Sequence, residues 1–163
     1  MVPENSFDIV SKIDLFEVDN AISQSMKEIT TRFDLKGAGA EVRREERTIH
    51  LAAADSFKLK SIGEILFQKL AKRGVPLKGL TPSKVETTPT GRAAQTIEIQ
   101  NGIPTEKAKE IVKIVKDLKL KVQASILADQ VRIRGVKKDD LQAVIRHLRE
   151  TDLGIDMQFM NYR

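Results

Sequence analysis

The sequence contains no cysteine and no tryptophan. Without cysteine, the chain can form no disulfide bond, thiol nucleophile or thiolate metal site. It also lacks any apolar run near the roughly 18 residues that a membrane-spanning helix requires. The first residues, MVPENSFDIV, do not show the basic segment and long apolar stretch of a secretory signal. These absences favour a cytoplasmic globular protein with no membrane association.

Aromatic residues make up only 4% of the chain. Sheets that bind single-stranded RNA commonly stack successive bases on aromatic side chains, so this mechanism is disfavoured. The net charge is +5, and nearly all of it lies in residues 89–163. Such an excess attracts polyanions, but it is too small to identify a nucleic-acid-binding protein by itself.

Residues typical of catalysis are scarce. The chain has two histidines, His50 and His147, and no cluster typical of a metal site. His147 lies near Arg146 and Arg149 in the last predicted helix, where a solvated or helix-end role is expected. The glycine-rich stretch GAGAEV follows a predicted helix and leads into a predicted strand, the reverse of the order in a phosphate-binding loop. We therefore expect no catalytic residue, no metal ion and no cofactor, and a protein that is not an enzyme.

Hydrophobic periodicity predicts the same order of elements twice: strand, helix, two-stranded hairpin, helix and strand. This is the βαββαβ order of a ferredoxin-like domain. The predicted fold class is therefore α+β, with two such units from an internal duplication and helices on one face of each antiparallel sheet. The Gly- and Pro-containing segment Leu77–Arg92 indicates the seam between them. The predicted domains are residues 1–88 and 89–163.

The individual predictions rest on alternation and capping signals. A first helix is predicted over Leu15–Thr31, and Asp139 with Gln142 has the spacing of a capping box at the start of the last helix. Outside the second hairpin, strands are predicted over Phe7–Ser11, Ala40–Arg44, Thr48–Ala53, Lys84–Thr87, Gln95–Ile99 and Met157–Tyr162.

The second hairpin, within Lys121–Gln142, predicts apolar residues on one face and basic or amide residues on the other. With Ala128 and Asp129 at the tip of a tight turn, Ser125 lies opposite Arg132. Such a face can meet phosphates, although basic residues also commonly fill the solvated face of a half-covered sheet. The predicted polar face comprises Lys121, Gln123, Ser125, Arg132 and Arg134.

The segment TRFDLKG, Thr31–Gly37, alternates charged and apolar residues. An extended conformation would bury its phenylalanine and leucine and expose Arg32, Asp34 and Lys36. The two cations then suit phosphate, and the carboxylate suits a base amine. Alternatively, Arg32 and Asp34 form a structural ion pair.

The end of the chain offers a further candidate. Tyr162 can stack on a base while Arg163 meets a phosphate. Phe159, in the same predicted strand, favours core packing.

Several separated motifs span essentially the whole chain: SFDIVS (6–11), TRFDLKG (31–37), KVQ (121–123), VRIRG with DDLQ (131–142), and the ending DLGIDMQFMNYR. Together they resemble the YajQ family. The resemblance implies a bacterial cytoplasmic nucleotide-binding protein whose early strands can be exchanged between its two ferredoxin-like domains, so that Phe7–Ser11 pairs with the second sheet. It also implies RNA, purine nucleotides or cyclic di-guanylate as ligands. Leu35 stands where the family often has an aromatic residue, which disfavours base stacking at this position.

We therefore predict a non-enzymatic protein that binds RNA or a purine nucleotide or dinucleotide such as cyclic di-guanylate. An alternative is an adaptor that binds a regulatory protein without a dedicated nucleotide site, and a small hydrolase is a third. A sheet packed against another sheet is not free to bind RNA, and alternation alone leaves that packing open. The candidate nucleotide-binding residues are Lys121, Gln123, Arg132, Arg134, Arg32, Asp34, Lys36, Tyr162 and Arg163.

Overall fold

The computed structural model describes residues 3–163. Its helices are α1 (Leu15–Thr31), α2 (Ser56–Lys72), α3 (Thr105–Asp117) and α4 (Lys138–Glu150). Its strands are β1 (Asn5–Val10), β2 (Glu41–Glu45), β3 (Thr48–Ala53), β4 (Leu80–Pro82), β5 (Glu86–Thr87), β6 (Ala93–Ile99), β7 (Val122–Leu127), β8 (Gln130–Gly135) and β9 (Gln158–Met160). The α+β class and the repeated order of elements are confirmed. Among the described residues, no helix combines the length and the apolar character needed to cross a membrane.

Aspartates begin the first two helices. Asp14 accepts a hydrogen bond from the backbone N–H of Phe16 at 2.9 Å, and Asp55 accepts one from that of Lys58 at 2.8 Å. These amides have no partner within the helix, so each cap typically stabilises its helix by about 1 kcal/mol. Gly74, with a φ of +78°, lies just beyond the end of α2, where a left-handed residue turns the chain out of the helix.

One compact unit comprises Ile13–Gln100, which we call the central unit. Its antiparallel sheet has the order β2-β3-β6-β4, and β5 also pairs with β6. Ile49 and Ile97 lie opposite each other on β3 and β6 and are fully buried in the core that α1 and α2 cover. His50 and Thr96, the next pair along, point to the opposite, more polar face because side chains alternate along a strand.

The other compact unit, which we call the terminal unit, combines the segment up to Lys12 with Asn101–Arg163. Its antiparallel sheet has the order β7-β8-β1-β9. Phe7 on β1 lies opposite Ile133 on β8, and both are fully buried in the core with residues of α3 and α4. Each unit therefore has its own sheet, helix layer and apolar core.

The opening strands of the two repeats are exchanged. β1 pairs with β8, as the family resemblance implied, and β6 pairs with β3 of the other repeat. The resemblance implied an exchange of early strands but located it only at Phe7–Ser11, and the pairing of β6 with β3 was not predicted. The chain consequently divides differently from the predicted domains 1–88 and 89–163, since β1 joins the terminal unit and β6 joins the central unit.

The predicted seam, Leu77–Arg92, lies within the central unit, where side chains attach it to the sheet. The Nε2 of Gln95 donates a hydrogen bond to the carbonyl of Ser83 at 2.8 Å. The guanidinium of Arg92 donates one to the carbonyl of Gly39 at 2.9 Å. Glycine and proline in this segment mark turns, and turn signals alone do not distinguish a loop within a domain from a linker between domains.

Candidate functional site

The β7–β8 hairpin has the predicted register. Ser125 lies opposite Arg132, and Gln123 lies opposite Arg134. Because Ile133, which alternates with these arginines, is buried in the helix-covered core, the four side chains point to the other side of the sheet. We call this side of the terminal-unit sheet the polar face.

Arg132 is paired with a residue of the exchanged strand. Its Nε donates to Oδ1 of Asp8 at 2.8 Å, and its Nη2 donates to Oδ2 at 3.4 Å. Asp8 is only 3% exposed, and Asn161 donates a third hydrogen bond to Oδ2 at 2.9 Å. The hydrogen bond from Arg132 keeps the pKa of Asp8 below its ordinary value, against the opposing effect of burial.

This pairing changes the role expected of Arg132. A buried carboxylate without its cation is costly, so the guanidinium is needed to hold Asp8 in the folded sheet. We therefore do not retain Arg132 as a phosphate ligand. The sequence contained a signal for this pair, because Asp8 interrupts the apolar strand FDIV, but its partner lies 124 positions away.

The cross-strand pair next to Ser125 and Arg132 on the polar face contains a cation that can bind a ligand. Arg134 and Gln123 are both exposed, and Ser6 on β1 continues their row. Among the ion pairs within residues 3–163, none involves Arg134. Lys121 is exposed immediately before β7. Arg134 can therefore meet an anion, with an amide and a hydroxyl beside it.

The residues after β9 line a cavity of about 330 Å³. The backbone of Arg163 exchanges hydrogen bonds of 2.9 and 3.1 Å with that of Ser6, which keeps the end of the chain beside β1. Tyr162 is 56% exposed, and its ring centroid lies 6.2 Å from that of Phe7. The cavity, which we call the terminal cavity, is lined by Asn5, Ser6, Lys138, Leu141, Gln142, Tyr162 and Arg163.

The terminal cavity combines an aromatic ring, two cations and two side-chain amides. Tyr162 supplies a stacking surface, and Lys138 and Arg163 supply positive charge. Asn5 donates its Nδ2 to the carbonyl of Val136 at 2.9 Å, which leaves its side-chain oxygen to accept from a ligand. The volume falls in the range of about 300–1,000 Å³ that is typical of small-molecule sites.

Sequence reasoning identified Tyr162 and Arg163 but missed the α4 side of the cavity. The capping box predicted for Asp139 with Gln142 is not formed, because α4 begins at Lys138 after Lys137, which makes no side-chain cap. Gln142 lines the cavity instead. The sequence held one signal for a functional role of this helix start, the consecutive lysines Lys137 and Lys138. The helix dipole disfavours cations at the start of a helix, so their presence there calls for another reason.

The TRFDLKG segment in the central unit departs from its predicted conformation. Phe33–Leu35 forms a turn of 3-10 helix, not a strand. Leu35 is buried as expected, but Phe33 is 85% exposed, and the Nζ of Lys36 lies 5.8 Å from its ring centroid. In the tight 3-10 turn, side chains three residues apart share a side, so the two-residue alternation of a strand does not apply.

Arg32 and Asp34 form the ion pair that was the alternative interpretation of this segment. Nε and Nη2 of Arg32 donate to the two carboxylate oxygens of Asp34 at 3.0 and 2.6 Å. This pairing lowers the pKa of Asp34 and raises that of Arg32. Both side chains are substantially exposed, so such a pair contributes little to stability. Lys36 remains exposed, and all three residues belong to the central unit.

Within residues 3–163, no group of three or more histidine, aspartate or glutamate side chains is placed to hold a metal ion. His50 lies 3.8 Å from a carboxylate oxygen of Glu45, as part of the polar side of the central-unit sheet. The terminal cavity itself offers charge, amides and one exposed aromatic ring.

The sequence is similar to known proteins of one family over nearly its whole length. The family described as nucleotide-binding protein YajQ-like matches residues 5–163. A nucleotide-binding protein of Alkaliphilus oremlandii (strain OhILAs) is 52% identical over 163 residues, which is 100% of both chains. One of Koribacter versatilis (strain Ellin345) is 53% identical over 160 residues, or 98% of each chain. One of Elusimicrobium minutum (strain Pei191) is 49% identical over 160 residues, or 97% of this chain and 98% of the relative. With a match over nearly its entire length, this chain belongs to the YajQ-like family of nucleotide-binding proteins.

Proposed function

We propose that the terminal cavity is a nucleotide-binding site, and that the protein binds its ligand without transforming it. One observation carries this proposal: an exposed tyrosine ring, two cations and two amides line the same cavity of about 330 Å³. Stacking, phosphate neutralisation and recognition of base edges are the three interactions that a nucleotide requires. The names of the full-length relatives support the same class of ligand.

In the proposed complex, the base stacks on Tyr162 and a phosphate lies between Lys138 and Arg163. The amides of Asn5 and Gln142 recognise the base edge. These groups suit one nucleotide, in agreement with the cavity volume.

A ligand longer than one nucleotide can extend from the terminal cavity along the polar face. Ser6 lines the terminal cavity and also lies opposite Arg134 on the polar face. A second phosphate, from an RNA strand or a cyclic dinucleotide, can therefore follow this row to Arg134 and Gln123, with Lys121 immediately before β7. We accordingly propose RNA or a purine dinucleotide such as cyclic di-guanylate as the ligand.

Titration of the purified protein with GTP, ATP, cyclic di-guanylate and a short single-stranded RNA, each at two salt concentrations, tests the proposal. A formed site discriminates among these ligands, and the discrimination persists at high salt. Simple attraction of polyanions instead predicts a steep loss with salt and little discrimination among ligands of similar charge. The second result would contradict a dedicated site.

Variants locate the site. We expect Tyr162→Ala and Arg134→Glu to weaken binding, and Lys78→Glu, an exposed lysine of the central unit, to serve as a control for net charge. Binding that is unchanged in both terminal-unit variants would exclude the terminal cavity and the polar face. Recovery of intact GTP and cyclic di-guanylate after long incubation tests the absence of turnover.

A further inference from the structure

Within residues 3–163, the two sheets have four edges, which differ in how they are protected against pairing with another strand. β2 carries charges at four of its five positions, and β4 and β9 are only three residues long, with Pro82 in β4. β7, Val122–Leu127, has six residues and contains neither charge nor proline. Charged, short or proline-containing edges resist the addition of a strand, and β7 has none of these features.

The outer edge of β7 presents unpaired backbone groups. Within residues 3–163, β7 pairs only with β8. Leu127 and Gln130 flank the two-residue loop of the hairpin. Such flanking residues exchange hydrogen bonds with each other, and the pattern then alternates along the strand. The N–H and C=O groups of Val122, Ala124 and Ile126 consequently point outward.

A cleft of about 300 Å³ runs between α3 and this edge. Val112 and Val115 from α3 and Val122 from β7 give it an apolar base. Ile126, at the other end of the strand, is 39% exposed. An added strand would place alternate side chains over this helix-facing side of the sheet, where the cleft can receive one.

The rim of the cleft is basic. Lys116 lines it, and Lys109 lies on the same side of α3, because Lys109 is three residues before Val112 and Lys116 is four residues after it. Among the ion pairs of the described residues, none involves these two lysines. Their charges are therefore available to a partner.

The geometry points to the outer edge of β7 as a docking site for an extended acidic segment of another protein, which joins the terminal-unit sheet as a fifth strand. Its backbone pairs with Val122, Ala124 and Ile126, an aliphatic side chain enters the cleft, and acidic residues meet the lysines of the rim. A second copy of this chain is disfavoured, because pairing β7 with itself brings two sets of lysines together. This inference does not depend on the proposed nucleotide site.

A synthetic peptide, acetyl-EEVTVEE-amide, tests the inference with the full-length protein. We expect the amide NMR signals of Val122, Ala124 and Ile126 to shift on addition of the peptide and to gain protection from hydrogen exchange. The matched peptides are acetyl-KKVTVKK-amide, which reverses the charge, and acetyl-EEVPVEE-amide, in which proline removes a backbone donor. Equal binding of all three peptides, or shifts confined to other residues, would overturn the proposal.

Two disruptive variants and one control variant test the edge itself. Ala124→Pro removes an outward N–H and leaves the hydrogen bonds between β7 and β8, so it should weaken the acidic peptide about tenfold or more. Ala124→Thr retains the N–H and is its control. Circular dichroism verifies folding, and Ile126→Glu, at a partly exposed position, provides a second disruption if the proline variant does not fold. Unchanged affinity in a folded edge variant would refute strand addition.

Charge reversal tests the rim. Lys109→Glu with Lys116→Glu should weaken the acidic peptide and strengthen the basic one, whereas Lys78→Glu with Lys84→Glu in the central unit should change neither markedly. If the two double variants change peptide affinity by the same amount, long-range charge, and not the rim, determines binding. Analytical ultracentrifugation provides the remaining outcome: a dimer that Ala124→Pro abolishes would assign the edge to a second copy and overturn the proposal.

Discussion

Asp8 and Arg132 lie side by side on neighbouring strands, although 124 positions separate them in the sequence. The carboxylate comes from the exchanged strand β1 and the guanidinium from β8. Because side chains alternate along a strand, a slip of one residue in this pairing would move Asp8 into the apolar core. The ion pair therefore helps to select the register in which β1 joins the terminal unit.

Removal of Asp8 and removal of Arg132 should destabilise the protein by different amounts. We expect Asp8→Ala to lower the free energy of unfolding by about 2 kcal/mol, since it removes charge-assisted hydrogen bonds from a buried position. Arg132→Ala should cost more, because it leaves the buried carboxylate without its cation. Urea unfolding followed by circular dichroism measures both. Arg134→Ala, on the same strand, should leave the urea midpoint nearly unchanged, and a loss equal to that of Arg132→Ala would contradict this account.

The same pair predicts a pH dependence. The pKa of Asp8 in the folded protein lies below its ordinary value of 3.8. A carboxyl group with a lowered pKa stabilises the fold above its unfolded-state pKa, and that contribution disappears as the pH falls through the folded-state pKa. Asp8→Asn should therefore be less stable than the wild type at neutral pH and should lose less stability between about pH 5 and pH 2.

Thermal unfolding across this range measures the difference. Asp19 and Asp34, whose pKa values are also lowered by arginine partners, remain in the variant. Acidification should consequently still destabilise Asp8→Asn, but along a shallower curve. Parallel curves for the two proteins would show that Asp8 does not titrate differently in the folded and unfolded states.

Stacking in the terminal cavity should depend on Tyr162. We expect Tyr162→Ala to weaken nucleotide binding about ten- to a hundredfold, because stacking on an aromatic ring contributes about 1–3 kcal/mol per base. Tyr162→Phe should bind nearly as well as the wild type. Isothermal titration calorimetry measures the affinities. Phe33→Ala removes another exposed aromatic ring, from the central unit, and should have no such effect.

The cations of the cavity should determine how binding responds to salt. For a short single-stranded RNA, we expect Lys138→Gln or Arg163→Gln to reduce the slope of log K against log salt concentration by about 0.7 each. Arg132→Gln should leave the slope unchanged, because the guanidinium of Arg132 is engaged by Asp8. Fluorescence anisotropy at several salt concentrations gives these slopes. A similar change in all three variants would indicate a diffuse field with no defined phosphate positions.

Local patterns predicted much of the fold. The register of the β7–β8 hairpin follows from alternation and a tight turn, both of which are visible within a few residues. Membership of a sheet is a long-range property, however. Gln95–Ile99 has the periodicity of a strand, but nothing within it shows that its partner is β3, because both cores are built from similar aliphatic residues.

The candidate site was also only partly predictable, because local residue patterns do not show which distant residues meet. Tyr162 and Arg163 stand out by residue type, but Asn5 and Gln142 become relevant only when β1 and α4 meet at the end of the chain. Arg132 was predicted from its residue type to bind phosphate, but in the structure it pairs with the distant Asp8. Residue types are local information, whereas the set of partners that determines their chemistry depends on the pairing of distant strands.

The exchange of β1 also has a consequence for synthesis of the protein. The central unit is one continuous stretch, Ile13–Gln100, so it can close its sheet as soon as that stretch has left the ribosome. β1 emerges earlier, but its partner β8 ends only at Gly135. At translation rates of about 5–20 residues per second, β1 remains without its partner for roughly 6 to 25 seconds. During that interval Phe7 and Ile9 have no core to enter, so β1 stays unpaired and is exposed to aggregation until β8 has emerged.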